Sequence, residues 1–98
     1  MEPPKGFVVE HSTRWKRSAK ALSDDQLTEL AGRLRQLQGS FGQPHRHGGL
    51  GLRKLRRNAY ELRLSLELRV VFLHLQPNKL LLMLCGNHDD VARFLKEF

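Results

Sequence analysis

Cysteine is nearly missing from this chain. Cys85 is the only one in 98 residues, so no internal disulfide can form and the fold must rest on its core. Cys85 sits inside an apolar run, which marks a buried thiol rather than a nucleophile. A lone cysteine also fits a reducing cytoplasm. No apolar run approaches the ~20 residues that span a bilayer. The first residues, M-E-P-P-K, lack the apolar segment of a signal peptide and read as a disordered tail over Met1–Lys5. Acidic residues are absent from Gly39 to Asn58, and over the whole chain 17 Lys and Arg face 10 Asp and Glu, a formal charge of +7. Clustered positive charge points to a polyanion, or to an acidic protein that covers the basic face.

What is present reads as a single domain over residues 1–98. A chain of this length can bury roughly two thirds of the surface its unfolded form exposes, enough for one core. Residues 6–11 are short and β-prone and predict a strand. Ser12 or Thr13 caps a short helix to about Leu22, with Trp15, Ala19 and Leu22 on one side. Ser23 and Gln26 form a capping box, and Leu27, Leu30, Ala31, Leu34 and Leu37 give the next helix an apolar stripe. Gly39 is expected to end it near Gln38. The two helices should form an antiparallel pair lying on a sheet.

Gly39 to Gly51 is glycine-rich and reads as a loop. Its His45 and His47 have no cysteine or carboxylate beside them, so the pattern does not make a zinc site. Leu52–Arg57 reads as a short, strongly basic strand or arm, with Asn58 and Ala59 turning into the next. Tyr60, Leu62, Leu64 and Leu66 alternate with Glu61, Arg63, Ser65 and Glu67, which predicts a strand with one buried face and one wet face. Leu68–Leu75 and Leu80–Cys85 are apolar at nearly every position, as in strands covered on both faces. A bend is expected near Leu66–Leu68 and a turn at Gln76–Lys79. Asn87 is an N-cap for a short amphipathic helix carrying Val91, Phe94, Leu95 and Phe98, with Asp89 and Asp90 in its first turn. The order β-α-α-β-β-β-β-α defines an α+β domain.

Three stretches in this order, L-R-K-L-R-R-N-A-Y-E-L-R from 52, L-R-V-V-F from 68 and C-G-N-H-D-D-V-A-R-F-L from 85, resemble the RelE/ParE toxin superfamily, and within it the RelE/HigB-like branch. The likeness covers residues 6–98. It implies a helical hairpin on a mostly antiparallel twisted sheet with a short C-terminal helix. It also implies a cytoplasmic toxin of a type II toxin–antitoxin module, a cognate antitoxin, and a complex that binds operator DNA. In the RelE branch it implies mRNA cleavage without metal or cofactor, often on the ribosome. In the ParE branch it implies gyrase poisoning, and a degenerate member would survive as a binding module.

Metal-independent RNA cleavage needs proton transfer at the 2′- and 5′-oxygens and cations for the phosphorane. Arg69 matches the family's phosphate-facing arginine; its alternative role is an ion pair with Glu67 or Glu61. Arg63 matches a basic position of the preceding strand, either a phosphate ligand or part of a solvated face. His88 matches the histidine of G-x-H and serves as general acid or base, or as a polar helix-end residue. Phe94 falls where some members carry a catalytic tyrosine; without a hydroxyl it stacks on a base or packs in the core. Glu61 stands where the best-known branch has a lysine, as a base or as a partner of Arg63. Lys54, Arg56 and Arg57, with Arg53 and His47 near them, form a basic arm for the RNA backbone.

Overall fold

The computed structural model describes residues 8–40 and 51–98, and of residues 38–40 the backbone alone. Strand β1 (Val8–His11) leads into α1 (Thr13–Ser18), a 3-10 turn (Ala19–Ala21) and α2 (Asp24–Ser40). Strands β2 (Leu52–Arg56), β3 (Ala59–Arg63), β4 (Arg69–Leu75) and β5 (Lys79–Gly86) follow, and α3 (His88–Glu97) ends the chain. The five strands form one sheet in the order β1-β5-β4-β3-β2. Neighbouring pairs are antiparallel, except that β1 runs parallel to β5. The α+β architecture and the element order are those expected. His45 and His47, the proposed tail over Met1–Lys5 and the start of the first strand lie outside the described residues.

The helix starts form as the capping residues dictate. The Ser12 hydroxyl accepts the Trp15 N–H at 2.9 Å. Ser23 and Gln26 exchange reciprocal bonds, Ser23 N to Gln26 Oε1 at 2.8 Å and Gln26 N to Ser23 Oγ at 3.1 Å. Helix α2 carries Gly39 inside it and runs to Ser40; one glycine near a helix end costs only about 1 kcal/mol. Of its predicted stripe, Leu30, Leu34 and Leu37 are buried, whereas Leu27 and Ala31 are exposed. The buried stripe is therefore narrower than the apolar pattern.

Two cores flank the sheet. On one face Trp15, Leu30, Leu34 and Leu37 meet Leu62, Leu64, Val70, Phe72, Leu80, Leu82 and Cys85. On the other, Val91 and Phe94 of α3 meet Ala59, Val71 and Leu84. Strands β4 and β5 are thus covered on both sides, as their continuous apolar runs require. Along β5 the face changes hands at a bulge. Val71 pairs with Leu84, but Phe72 pairs with Leu82, which leaves Met83 as the extra residue. Leu80 and Leu82 face one core, and Leu84 then faces the other.

Three expectations about the β2–β4 region are corrected. The turn is Arg57–Asn58, and Ala59 is a fully buried strand residue beneath α3. Asn58 closes that turn onto β4, its O accepting the His74 N–H at 2.8 Å and its Nδ2 donating to His74 O at 3.1 Å. The alternating strand also stops at Arg63, so Leu66 lies in the following bend, 79% exposed. Glu61, on the expected wet face, is only 4% exposed.

Leu62 and Leu66 look equivalent in the alternation, so their truncation separates pattern from position. Leu62→Ala should cost about 2–5 kcal/mol in urea unfolding. Leu66→Ala should stay within about 0.5 kcal/mol.

Candidate active site

Helix α3 covers only part of its sheet face. Side chains alternate along a strand, so Glu61 and Arg63 follow Ala59 onto that face, and Arg69 shares it with Val71. These residues, with Arg53 of β2, lie beyond the buried helix core. They line a cleft of about 310 Å³ together with Gly51, Leu52 and His88.

The strand register sets the charges. Arg53 lies opposite Glu61 across β2–β3, and Arg63 lies opposite Arg69 across β3–β4. Like charges directly opposed on one face destabilise a sheet. One carboxylate lies beneath them. Glu61 Oε1 is 3.6 Å from Arg53 Nη2, and Glu61 Oε2 is 3.6 Å from Arg69 Nη1. Both pairs exceed hydrogen-bond length. Glu61 Oε1 and Arg69 Nε are buried and make no hydrogen bond among the described residues. Three guanidiniums against one carboxylate leave excess positive charge in the cleft. Arg63 is anchored through its backbone, with its N–H on Gly51 O at 3.0 Å and its carbonyl held by Arg33 Nη1 at 3.0 Å. Its exposed side chain is directed to solvent.

His88 reaches the cleft from the start of α3. Gly86 pairs with Arg69 at the end of β5, so the histidine two residues on stands over the same sheet end. Its backbone is set by a capping box. Asn87 Oδ1 accepts the Asp90 N–H at 2.9 Å, and Asp90 Oδ2 accepts the Asn87 N–H at 2.9 Å. Arg93 Nη1 donates to Asp90 Oδ1 at 3.0 Å. The bond from the Asn87 amide holds the Asp90 carboxyl below the usual carboxylate range, with Arg93 adding to the effect. Only glycine fits beneath this box, because a Cβ on residue 86 would lie 2.7 Å from Asp90 Cβ.

The expected site residues divide. Arg63, Arg69 and His88 converge on the cleft as the antiparallel β4–β5 pair requires, and Arg53 joins them. Arg69 also makes the ion pair with Glu61 that the sequence offered as its alternative. Lys54 alternates onto the opposite face from Arg53 and does not line the cleft. Arg56 and Arg57 turn to α3 instead. Arg56 Nη1 donates to Leu95 O at 3.1 Å, and the Arg57 guanidinium lies 5.9 Å from the centre of the Phe98 ring. Phe94 is 3% exposed, stacked on Phe98 and covered by Arg14, so it is a core residue and no base can stack on it. His47 lies outside the described residues. Cys85 is buried as expected; burial pushes its thiol up, and the Ser18 hydroxyl opposes this in part.

No protein-family model matches the chain, and no curated protein matches it. Solved structures do. A mutant of the E. coli toxin RelE in the free state superposes with a TM-score of 0.69 at 12% identity, over 95% of this chain and 98% of that one. The RelE–RelB complex of Pyrococcus horikoshii OT3 gives 0.63 at 13% identity, over 83% and 93%. YafQ from E. coli strain BL21(DE3) gives 0.63 at 12% identity, over 87% and 97%.

Gly86→Ala should force Asp90 out of the capping box and cost about 1–2 kcal/mol of stability, visible as a displaced Asn87 amide resonance. The acid limb of stability gives a second check. Asp90 is depressed in the folded chain, so its contribution is present above the ordinary carboxylate range, about pH 4, and is lost as pH falls through the depressed value. Asp90→Asn should flatten that part of the stability–pH curve.

Proposed function

We propose, on the premise of a RelE-type toxin fold, that this chain is the toxin of a type II toxin–antitoxin module and cleaves mRNA without a metal, during translation. The observation that carries the reading is the directly opposed Arg63–Arg69 pair, set above the buried Glu61 and beside His88. Two arginines directly opposed on one sheet face leave uncompensated positive charge there, which an anion relieves. A phosphodiester supplies that anion, and its charge grows on the way to the phosphorane.

In this reading Arg69 is the fixed cation. Its side chain is 15% exposed and tied to Glu61, so little reorganisation is needed when phosphate arrives. Arg63 and Arg53, more exposed, close on the phosphate from above and from the neighbouring strand. Glu61 is too deeply buried to meet the substrate and serves as the counter-ion that holds Arg53 and Arg69 in place. His88 is the exposed titratable group on the cleft and makes one of the two proton transfers, taking the 2′-hydroxyl proton or giving one to the departing 5′-oxygen, while water makes the other. The 2′-oxygen attacks phosphorus, the bond to the 5′-oxygen breaks, and the products are a 2′,3′-cyclic phosphate and a 5′-hydroxyl. The partner is a cognate antitoxin that covers the positive cleft or takes the place of α3. That helix buries only Val91 and Phe94 fully, with Leu95 half-buried, and arginine contacts hold the rest.

Induced alone, the chain should arrest growth, and mapping of mRNA 5′-ends should show new cleavage sites. Arg69→Ala should slow cleavage about 10²–10³-fold at every pH. His88→Ala should slow it about 10²–10⁴-fold and remove one limb of the pH–rate profile. Loss of the alkaline limb assigns His88 as the acid, and loss of the acid limb assigns it as the base. Folded variants that cleave at the wild-type rate with an unchanged profile would sink the assignment. Arrest with intact mRNA and inhibited supercoiling would replace it with the gyrase reading.

A further inference from the structure

Arg33 does not line the arginine cleft, but one of its hydrogen bonds ends at a residue that does. Helix α2 belongs to the core on the opposite face of the sheet, where Leu30, Leu34 and Leu37 meet Leu62 and Leu64. Arg33 flanks that buried stripe, and its Nη1 donates to the Arg63 carbonyl at 3.0 Å. Its Nη2 is held by Glu29 Oε2, one turn back along the helix, at 3.2 Å. Arg63 is the last residue of β3. A residue has two soft backbone dihedrals, so fixing the peptide planes on its two sides fixes the direction of its side chain. The plane before Arg63 is fixed by its N–H on Gly51 O, at 3.0 Å. The plane after it is tied by Leu64 N on Leu68 O, at 2.9 Å, but that bond lies within a bend whose Ser65, Leu66 and Glu67 are exposed. Arg33 ties the same plane to a packed helix.

We propose that Arg33 is a positioning residue of the cleft: from the opposite layer its guanidinium fixes the Arg63 carbonyl and so keeps the Arg63 side chain beside Arg69. The proposal rests on the RNA-cleavage reading above and adds a residue that touches no substrate. The need for such a tie follows from the register. The Arg63 N–H points to β2, so Arg63 and Arg69 form a non-hydrogen-bonded pair, the type in which facing side chains lie closest. Like charges at that spacing repel. Arg69 is half-buried and paired with Glu61, whereas the Arg63 side chain is exposed and is the one that can swing away. A backbone held on both sides limits that swing, and the cleft then meets an arriving phosphate with its cations already in place.

The test is a double-mutant cycle on RNA cleavage, run where urea unfolding shows every variant to be folded. Arg33→Met keeps the aliphatic stem and removes the guanidinium. It should lower kcat/KM about 10–100-fold, the range of one hydrogen bond to a charged group. Arg35→Met removes the same charge from an exposed neighbour on the same helix and should cleave as wild type. In an Arg63→Ala background, Arg33→Met should change the rate by no more than about twofold, because the side chain it positions is gone. An equal loss in both backgrounds overturns the proposal, since Arg33 then acts on the RNA or the fold by itself. So does an equal loss in Arg35→Met, which makes the effect one of net charge, or a full rate in Arg33→Met. If wild type cleaves no RNA, the cleavage reading itself fails. The tie is then decided by NMR titration of wild type and Arg33→Met with inorganic pyrophosphate. Binding about tenfold weaker in Arg33→Met, with the Arg63 side-chain N–H resonance shifting in wild type alone, sustains it. Equal affinity, or no binding by wild type, overturns it.

Discussion

A carboxylate buried between two guanidiniums fixes the working end of this molecule. Glu61 on the middle strand of the β2–β3–β4 ribbon faces Arg53 and Arg69 at 3.6 Å each. A buried charge without partners is prohibitive, so β2 and β4 must both bring an arginine to it. A one-residue slip of either strand would move its arginine to the other face. The pair of interactions therefore specifies register as well as balancing charge. The same register sets Arg63 against Arg69, a juxtaposition that a sheet built only for stability would avoid.

The histidine is positioned by a separate device a short distance away. The bulge at Met83 turns the end of β5 over, so Leu84 faces the α3 core and Gly86 meets Arg69. Glycine then lets Asp90 fold back over the strand end and cap the Asn87 amide. Strand end, turn and helix start become one unit, with His88 inside it. Arg93 extends that unit along α3, because it holds the other oxygen of Asp90.

The basic arm has two jobs. Arg53 serves the cleft, while Arg56 and Arg57 hold the C-terminal half of α3, one on the Leu95 carbonyl and the other over Phe98. From the other side Arg14 bonds Glu97 at 2.9 Å and covers Phe94. Exposed ion pairs and cation–π contacts each contribute only about 0.2–1 kcal/mol. A short helix held this way stays in place without a large buried area. Part of the positive charge that suggests a polyanion partner is spent inside the fold.

Local chemistry made the architecture legible from residues alone. Ser12, Ser23, Gln26 and Asn87 announce helix starts because their side chains bond amides three residues away. The apolar runs of β4 and β5 announce strands covered on both faces, and an antiparallel pair must bring Arg69 near His88. What stayed hidden depends on contacts distant in sequence. Alternation treats Leu62 and Leu66 alike, but the chain leaves the sheet after Arg63. It also marks Glu61 as wet, but burial there depends on arginines from two other strands. Phe94 and the split of the arm between cleft and helix depend on where α3 docks. The sequence by itself determined the elements, their order and the meeting of Arg69 with His88, because caps, periodicity and hairpins act over a few residues. Only the tertiary structure decided which charges are buried, where the bulge reverses β5 and which arginines reach the cleft, because these follow from register and docking between segments far apart in the chain.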